Sequence, residues 1–317
     1  MAITNSWRPA ATLSRLRERA RIMAHIRHFF AERRILEVET PILGTFTASD
    51  PNLFSLSTRL TAYVGMTTDV FYLQTSPESA MKRLLAAGSG PVYQISKVFR
   101  NDEFGCYHNP EFTLLEWYQP SYNHHDLMDE VTALLDNLGM DRTINRVTYH
   151  DLFENIVRLN PHQACESSLR ACVRDYGIEV TSEVEQGDKD QWLELLMTHV
   201  IAPTLSLQGE ATFVFDYPAS QAALARVNDE SPPVAERFEF YYGGIELANG
   251  YHELTDATEQ QRRFCQDNRI RQQRGLPAIE PDRGLIAAME AGLPACAGVA
   301  IGIDRLIMCL LACDTLN

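Results

Sequence analysis

The chain has 317 residues, 45% hydrophobic and 22% charged, the composition of a globular protein with a sizeable core, which excludes a disordered chain. Twenty-eight Lys and Arg face 42 Asp and Glu, a formal net charge of −14, opposite in sign to the basic footprint left by broad tRNA or DNA binding. The seven cysteines (106, 165, 172, 265, 296, 309 and 313) are odd in number, form no C-x-x-C and have no His at zinc-ligand spacing, so they read as reduced, mostly buried thiols of a cytoplasmic protein. The first twenty residues lack the apolar core of a signal peptide. The run LIMCLLA near the C-terminus is far shorter than the roughly 20 residues of a membrane helix.

In chain order, residues 13 to 30 place Leu13, Leu16, Ala20, Met23, Ile26 or Arg27, and Phe30 near a 3.6-residue period, which predicts an amphipathic helix capped by Thr12 or Ser14. ILEVETPIL is β-prone and broken at Pro41, whose missing N–H ends sheet pairing on that side. Residues 44 to 62 are polar and turn-rich, and Phe71 to Gln74 predicts a short strand. In TSPESAMKRLLAAG, Ser76 suits an N-cap, Pro77 the first helical position and Glu78 the first turn, with Gly88 at the end.

Residues 92 to 119, VYQISKVFRNDEFGCYHNPEFTLLEWYQ, read as two antiparallel strands, Val92 to Phe99 and Phe112 to Tyr118, joined by a polar loop. Alternation along the strands gives one sheet face a guanidinium (Arg100), an aromatic plane (Phe112) and a carboxylate (Glu116), with Tyr118 alongside. A structural ion pair would also set Arg beside Glu. His125 to Leu138 predicts a helix stopped by Gly139. Residues 140 to 209 read as a helical insert built of LFENIV, SLRACVRDYG and DQWLELLMTHVIAP, with no evident chemistry.

ATFVFDYP predicts a strand, and RFEFYY, Gly243–Gly244 and IELANGYHEL a second hairpin. Glu246 and Glu253 are seven residues apart, which on a straight strand points them to opposite faces. Asn249–Gly250 between them is a turn or bulge signal that can return both to one side. Two carboxylates on one site are costly unless a cation joins them. Thr258 to Gly275 predicts an Arg-rich helix, either a solvated face or a dock for an acidic partner. GVAIGIDRLIMCLLA reads as a glycine-containing strand and turn, with Gly302, leading into a helix that carries Arg305 near its start.

FRNDEFGCYHNPEF followed by LLEWY resembles the second signature motif of class II aminoacyl-tRNA synthetases, and among these is most similar to the lysyl-tRNA synthetases. Helix 13–30 with Pro41 resembles their first motif and GVAIGIDRL their third, so the resemblance covers nearly all of the chain. It implies an α+β fold, a mostly antiparallel sheet flanked by helices, forming a single catalytic domain over 1–317 with the insert at about 140–209. It also implies a homodimer formed through the first motif, with ATP as substrate and Mg²⁺ as cofactor. By the same resemblance, Arg100 binds the α-phosphate, Phe112 and Arg305 sandwich adenine, and Asn101, Asp102, Asn109, Leu247 and Gly302 complete the nucleotide site. The segment E-x-x-N-G-[FY]-x-E, matched by Glu246 and Glu253, supplies Mg²⁺ and amino-acid contacts. Ser76, Pro77 and Glu78 match T-[SA]-P-E, whose carboxylate meets the substrate's α-ammonium.

A pocket of Glu78, Glu116, Glu253 and Tyr118 fits two ammonium groups, hence a lysine-like diamino acid. Ala300 stands where the lysyl enzymes usually have Gly, raising the pocket floor by a methyl and favouring an isomer with a shifted amino group. Asp102 replaces a usual Glu, with Glu103 adjacent, and the sequence stops at Asn317 before the last short segment of these enzymes. Only about a dozen residues precede the first-motif helix, leaving no room for the N-terminal OB domain that reads the anticodon. With a charge of −14, stable tRNA binding is not expected. A freestanding core of this kind resembles the branch of ligases that activate (R)-β-lysine and pass it to a lysine side chain of elongation factor P. The alternatives are a minimal lysyl-tRNA synthetase and a non-catalytic lysine-sensing paralogue. Retention of Arg100, Glu246, Glu253 and Arg305 speaks against the latter.

Overall fold

The computed structural model describes residues 11–61, 70–101, 103–140, 142–180, 187–209 and 211–313. Helix α1 (Leu13–Glu32) starts where Thr12 Oγ1 accepts the Arg15 N–H, and it buries Ile22, Ile26, Phe29 and Phe30. Strands β1 (Leu36–Glu37) and β2 (Leu43–Gly44) lie on either side of Pro41. β2 joins β3 (Ser57–Arg59) and β4 (Val70–Leu73) in a small sheet ordered β2-β4-β3. Helix α2 (Glu78–Ala86) begins one residue later than predicted, with Pro77 at its N-cap, while Ser76 Oγ still accepts the Glu78 N–H at 3.0 Å. The central hairpin forms as β5 (Val92–Phe99) and β6 (Glu111–Pro120). Helix α3 (His124–Asn137) opens on a reciprocal capping box between Asn123 and Asp126, and Gly139 follows it at φ +83°, the left-handed conformation a glycine takes most cheaply.

The insert is not wholly helical. Before helices α4 (Tyr149–Val157), α5 (Glu166–Asp175), α6 (Lys189–Leu196) and α7 (Ala202–Gln208) comes strand β7 (Ile144–Thr148), which pairs in parallel with β8 (Ala211–Pro218). Its sequence INRVT is too short and too polar for alternation to reveal, and the ladder to β8 fixes it. Then come β9 (Val234–Tyr242), β10 (Ile245–His252), α8 (Ala257–Gln273), α9 (Arg283–Gly292), β11 (Cys296–Gly302) and α10 (Ile303–Leu310). Helix α9, absent from the sequence reading, is capped by Asp282. The cysteines are a second correction: only Cys296 is buried, while Cys106, Cys165 and Cys265 are exposed. No helix among the described residues is long and apolar enough to cross a membrane.

The main sheet runs β1-β5-β6-β11-β10-β9-β8-β7, antiparallel except at its two edges. Residues directly opposite in an antiparallel ladder share a face, so the registers define rows across the sheet. One back-face row is Tyr93, Trp117, Val299, Gly250 and Phe238. Helices α1 and α3 cover it: Phe30 stacks on Tyr93 at 4.3 Å and meets Trp117 edge-on at 5.3 Å. Trp117 Nε1 donates to Glu130 at 2.8 Å and the Gln119 amide donates to the same carboxylate, so the buried polar atoms here are paired. The front face carries the rows described next.

Phe30 is fully buried against Phe29, Tyr93 and Trp117. Phe30→Ala is therefore expected to destabilise the protein by about 3–5 kcal/mol, read as a lowered denaturant midpoint at unchanged slope.

Candidate active site

The front face gathers residues that lie far apart in sequence. Gln94, Glu116, Ala300, Asn249 and Glu239 form one row, and Val92, Tyr118, Gly298, Tyr251 and Arg237 the next. Glu246 joins them because the β9–β10 register shifts between Glu246 and Ala248. Leu247 is the extra residue, and its side chain enters the core. The parity change expected at Asn249–Gly250 thus occurs two residues earlier, while Asn249 and Gly250 stay in regular register. A bulge reverses facing wherever one residue is unpaired.

At one end of this face is a cavity lined by Arg100, Glu103, His108, Asn109, Phe112, Glu246, Leu247, Asn249, Ala300, Gly302 and Arg305, among others. Arg100 lies 5.1 Å over the Phe112 ring, donates from Nε to the Thr75 carbonyl at 3.3 Å and pairs through Nη1 with Glu103 at 3.2 Å. Arg305 donates to the Tyr107 carbonyl and to the Glu246 carbonyl, both at 3.0 Å. Burial pulls His108 below its ordinary pKa, and Arg305 adds to this. Of the residues expected here, Asn101 is exposed and outside the cavity lining, its N–H held by the Phe54 carbonyl at 2.7 Å, and Asp102 lies outside the described residues. Asp304 also lines the cavity and fastens it to α1: Arg19 donates to Oδ1 and the Thr113 N–H to Oδ2, both at 2.7 Å.

Further along the face is a cluster of acids. Glu116, 2% exposed, accepts from Ser76 Oγ at 2.8 Å and Tyr118 Oη at 2.7 Å. Glu78 and Glu253 share one buried cation, Lys82, whose Nζ lies 2.6 Å from Glu78 Oε1 and 2.5 Å from Glu253 Oε2. Burial pushes Glu116 up to about 7, Glu78 adds to this, and the hydrogen bonds from Tyr118 and Ser76 oppose it. Burial likewise raises Glu253, against the pull of Lys82. Lys82 itself, although burial works against its charge, is held above the ordinary amine range by Glu253 and Glu78, so the contact is an ion pair. Gly298 makes the crowding possible: a Cβ there would overlap the Tyr118 ring and lie 2.6 Å from Glu253 Oε1.

Glu253 is therefore engaged by Lys82 and is not among the cavity-lining residues, which separates it from Glu246. Of the two carboxylates expected to share a magnesium ion, only Glu246 faces the cavity. Burial raises the pKa of Glu246, and nearby Glu239 adds to this. No ion pair among the described residues closes on its carboxylate, whereas Glu239 is taken by Arg237 and by Tyr241 Oη at 2.6 Å. A hard oxygen donor in this electrostatic setting fits Mg²⁺.

The chain corresponds to the family described as "tRNA synthetases class II (D, K and N)" over residues 4–317. It belongs to the class II aminoacyl-tRNA synthetases. Its similarity extends to proteins named elongation factor P–(R)-β-lysine ligase. The Salmonella gallinarum (strain 287/91 / NCTC 13346) protein is 47% identical over 316 residues, covering 100% of this chain and 97% of the relative. Those of Salmonella dublin and Salmonella paratyphi B (strain ATCC BAA-1250 / SPB7) are 47% and 46% identical over the same length. As in other class II synthetases, an antiparallel sheet carries the site, and ATP-dependent ligase chemistry goes with the family.

Sequence reasoning missed Lys82 and Arg237. Lys82 carried a signal, since Glu78 and Lys82 stand at i,i+4 on a helix, the spacing that lets them meet. Arg237 carried none. It is fixed by the sheet, donating to Asn249 Oδ1 at 3.3 Å and lying 4.6 Å from the Tyr217 ring centroid.

With Glu116 at about 7, binding of a cation to the cluster requires the carboxylate form and displaces its proton. A diammonium ligand should therefore release about one proton from Glu116 at pH 6 and about a tenth as many from it at pH 8. Affinity should rise roughly tenfold per pH unit below 7 and level off above it. Calorimetry in buffers of different ionisation enthalpy checks this.

Proposed function

We propose that the chain is an ATP-dependent, AMP-forming ligase that activates (R)-β-lysine as an aminoacyl-adenylate and transfers it to a lysine side chain of elongation factor P. The observation that carries the substrate class is the charge of the cluster: Glu78, Glu116 and Glu253 against Lys82 leave two negative charges when all are ionised. This excess matches a ligand with two ammonium groups. The names of relatives 46–47% identical over the full chain support both the isomer and the acceptor.

In the first step the substrate carboxylate, ionised at neutral pH because α-carboxyl pKa values lie near 3.5, attacks the α-phosphorus of ATP, and pyrophosphate leaves. No general base is required, so catalysis is positioning and electrostatics. Arg100 meets the α-phosphate through a directional guanidinium fork. On binding, adenine takes the place over Phe112, between that ring and Arg305, with Asn109, Leu247 and Gly302 around it. Glu246 would hold Mg²⁺, which neutralises phosphate charge when bound. Ser76 and Tyr118 fix Glu116 by donating to it, and Pro77 turns the chain so that Glu78 opens α2 toward the same cluster. In the second step the acceptor lysine, with a reference pKa of about 10.4, loses a proton, attacks the acyl carbon and expels AMP.

Ala300 sits opposite Glu116 in the ladder and lines the cavity, so its methyl is where an amino group displaced by one carbon is discriminated. The exposed apolar residues Leu13, Leu16 and Leu36 on α1 and β1 support a homodimer formed through this face. The reaction belongs in the cytoplasm, where ATP and translation factors meet, and the charge of −14 is unsuited to holding tRNA.

ATP–pyrophosphate exchange with (R)-β-lysine and α-lysine in parallel, followed by mass spectrometry of elongation factor P, tests the reading. Exchange favouring the β-isomer and a mass gain on the factor are expected; efficient charging of tRNA, or no exchange with either isomer, would overturn it. Ala300→Gly is expected to raise kcat/KM for α-lysine relative to β-lysine by about tenfold or more, the scale of one methyl group in a fitted pocket.

A further inference from the structure

The acid cluster contains a group that substrate recognition does not obviously call for. Lys82 is a cation inside a site that must attract cations, and its side chain is 2% exposed. Its two partners come from different parts of the fold. Glu78 opens the same helix four residues earlier, whereas Glu253 follows β10 and is held by its own N–H to the Cys296 carbonyl at 2.9 Å.

We propose that Lys82 is a positioning residue of the amino-acid site: its ammonium keeps Glu78 and Glu253 ionised and turns one oxygen of each toward the substrate's two ammonium groups. This rests on the reading of the cluster as the diamino-acid site.

Three features favour this over a purely structural ion pair. First, the charges do not match, since a structural solution would pair one lysine with one carboxylate, while here a single ammonium serves two and a third, Glu116, stands beside them. Carboxylates crowded in this way take up protons unless a cation intervenes, and a neutral carboxyl is a poor partner for an ammonium. Second, Lys82 engages only Oε1 of Glu78 and Oε2 of Glu253. The remaining Oε1 of Glu253 is buried without any hydrogen-bond partner, and a buried acceptor left open is costly unless a ligand completes it. Third, the space around that atom depends on a residue with no side chain, because a Cβ on Gly298 would stand 2.6 Å from it. The protein thus holds an uncompleted acceptor in place with a fixed internal cation, which is preorganisation for an incoming one.

The test is ATP–pyrophosphate exchange by the full chain, with KM measured separately for the diamino acid and for ATP. Lys82→Met, close in length and without charge, should raise KM for the diamino acid on the order of a hundredfold and leave KM for ATP within about threefold. Lys82→Arg keeps the charge but widens the spacing of the two carboxylates, and should give an intermediate amino-acid KM. An unchanged amino-acid KM in Lys82→Met, or parallel rises in both constants, would overturn the proposal. If Lys82→Met does not fold, Lys82→Arg decides: a selective rise supports the proposal, and constants equal to the wild type for both substrates overturn it. Absence of exchange by the wild-type chain with either lysine isomer would instead refute the substrate reading, which keeps the two failures distinguishable.

Discussion

The register of five adjacent antiparallel strands is the constraint on which the rest of the molecule depends. β5, β6, β11, β10 and β9 are paired so that Gln94, Glu116, Ala300, Asn249 and Glu239 lie in one line across the sheet. A slip of one residue in any ladder would turn that strand's site residues into the core and its core residues to the site. The back-face packing of Phe30, Tyr93 and Trp117 therefore does more than stabilise the fold. It penalises every wrong register, and so it also holds the polar rows of the front face in alignment.

One departure from regular pairing is itself functional. The extra residue at Leu247 lets a single strand present Glu246 to the cavity and Asn249 and Tyr251 to the adjoining rows. Without it, Glu246 would face α3 and the apolar core, and the cavity would lose the carboxylate that fits a magnesium ion. Burying Leu247 anchors the bulge, because its side chain packs in the same cluster as the neighbouring strand residues.

The two halves of the site solve opposite electrostatic problems within one sheet face. Arginines 100 and 305 bring positive charge to the cavity, while a few residues along the same strands the acids outnumber their one lysine. Arg305 and Arg100 are held by backbone carbonyls and, for Arg100, by Glu103, so their planes are fixed by the protein itself. The acids are set by donors: Ser76 and Tyr118 for Glu116, Lys82 for Glu78 and Glu253. Under the proposed function, a substrate anionic at its carboxylate and cationic at its amines would meet the boundary between these regions, oriented for attack on the α-phosphorus.

The sequence by itself determined most of the secondary-structure elements and which site candidates share a sheet face. The alternation of 92 to 119 named the hairpin and the face shared by Phe112, Glu116 and Tyr118, the cap and period of 13 to 30 named one helix, and the period of 125 to 138 with its Gly139 stop named another, because these signals act over a few residues and survive without context. The tertiary structure alone decided where parity breaks on β10, that INRVT is a strand, that Glu253 belongs to Lys82 and stands apart from the cavity, and that Arg237 reaches Asn249. Each of these is a pairing between groups distant in the chain, chosen by ladder hydrogen bonds and the demand that buried charge find a partner, and neither condition exists until the sheet has closed.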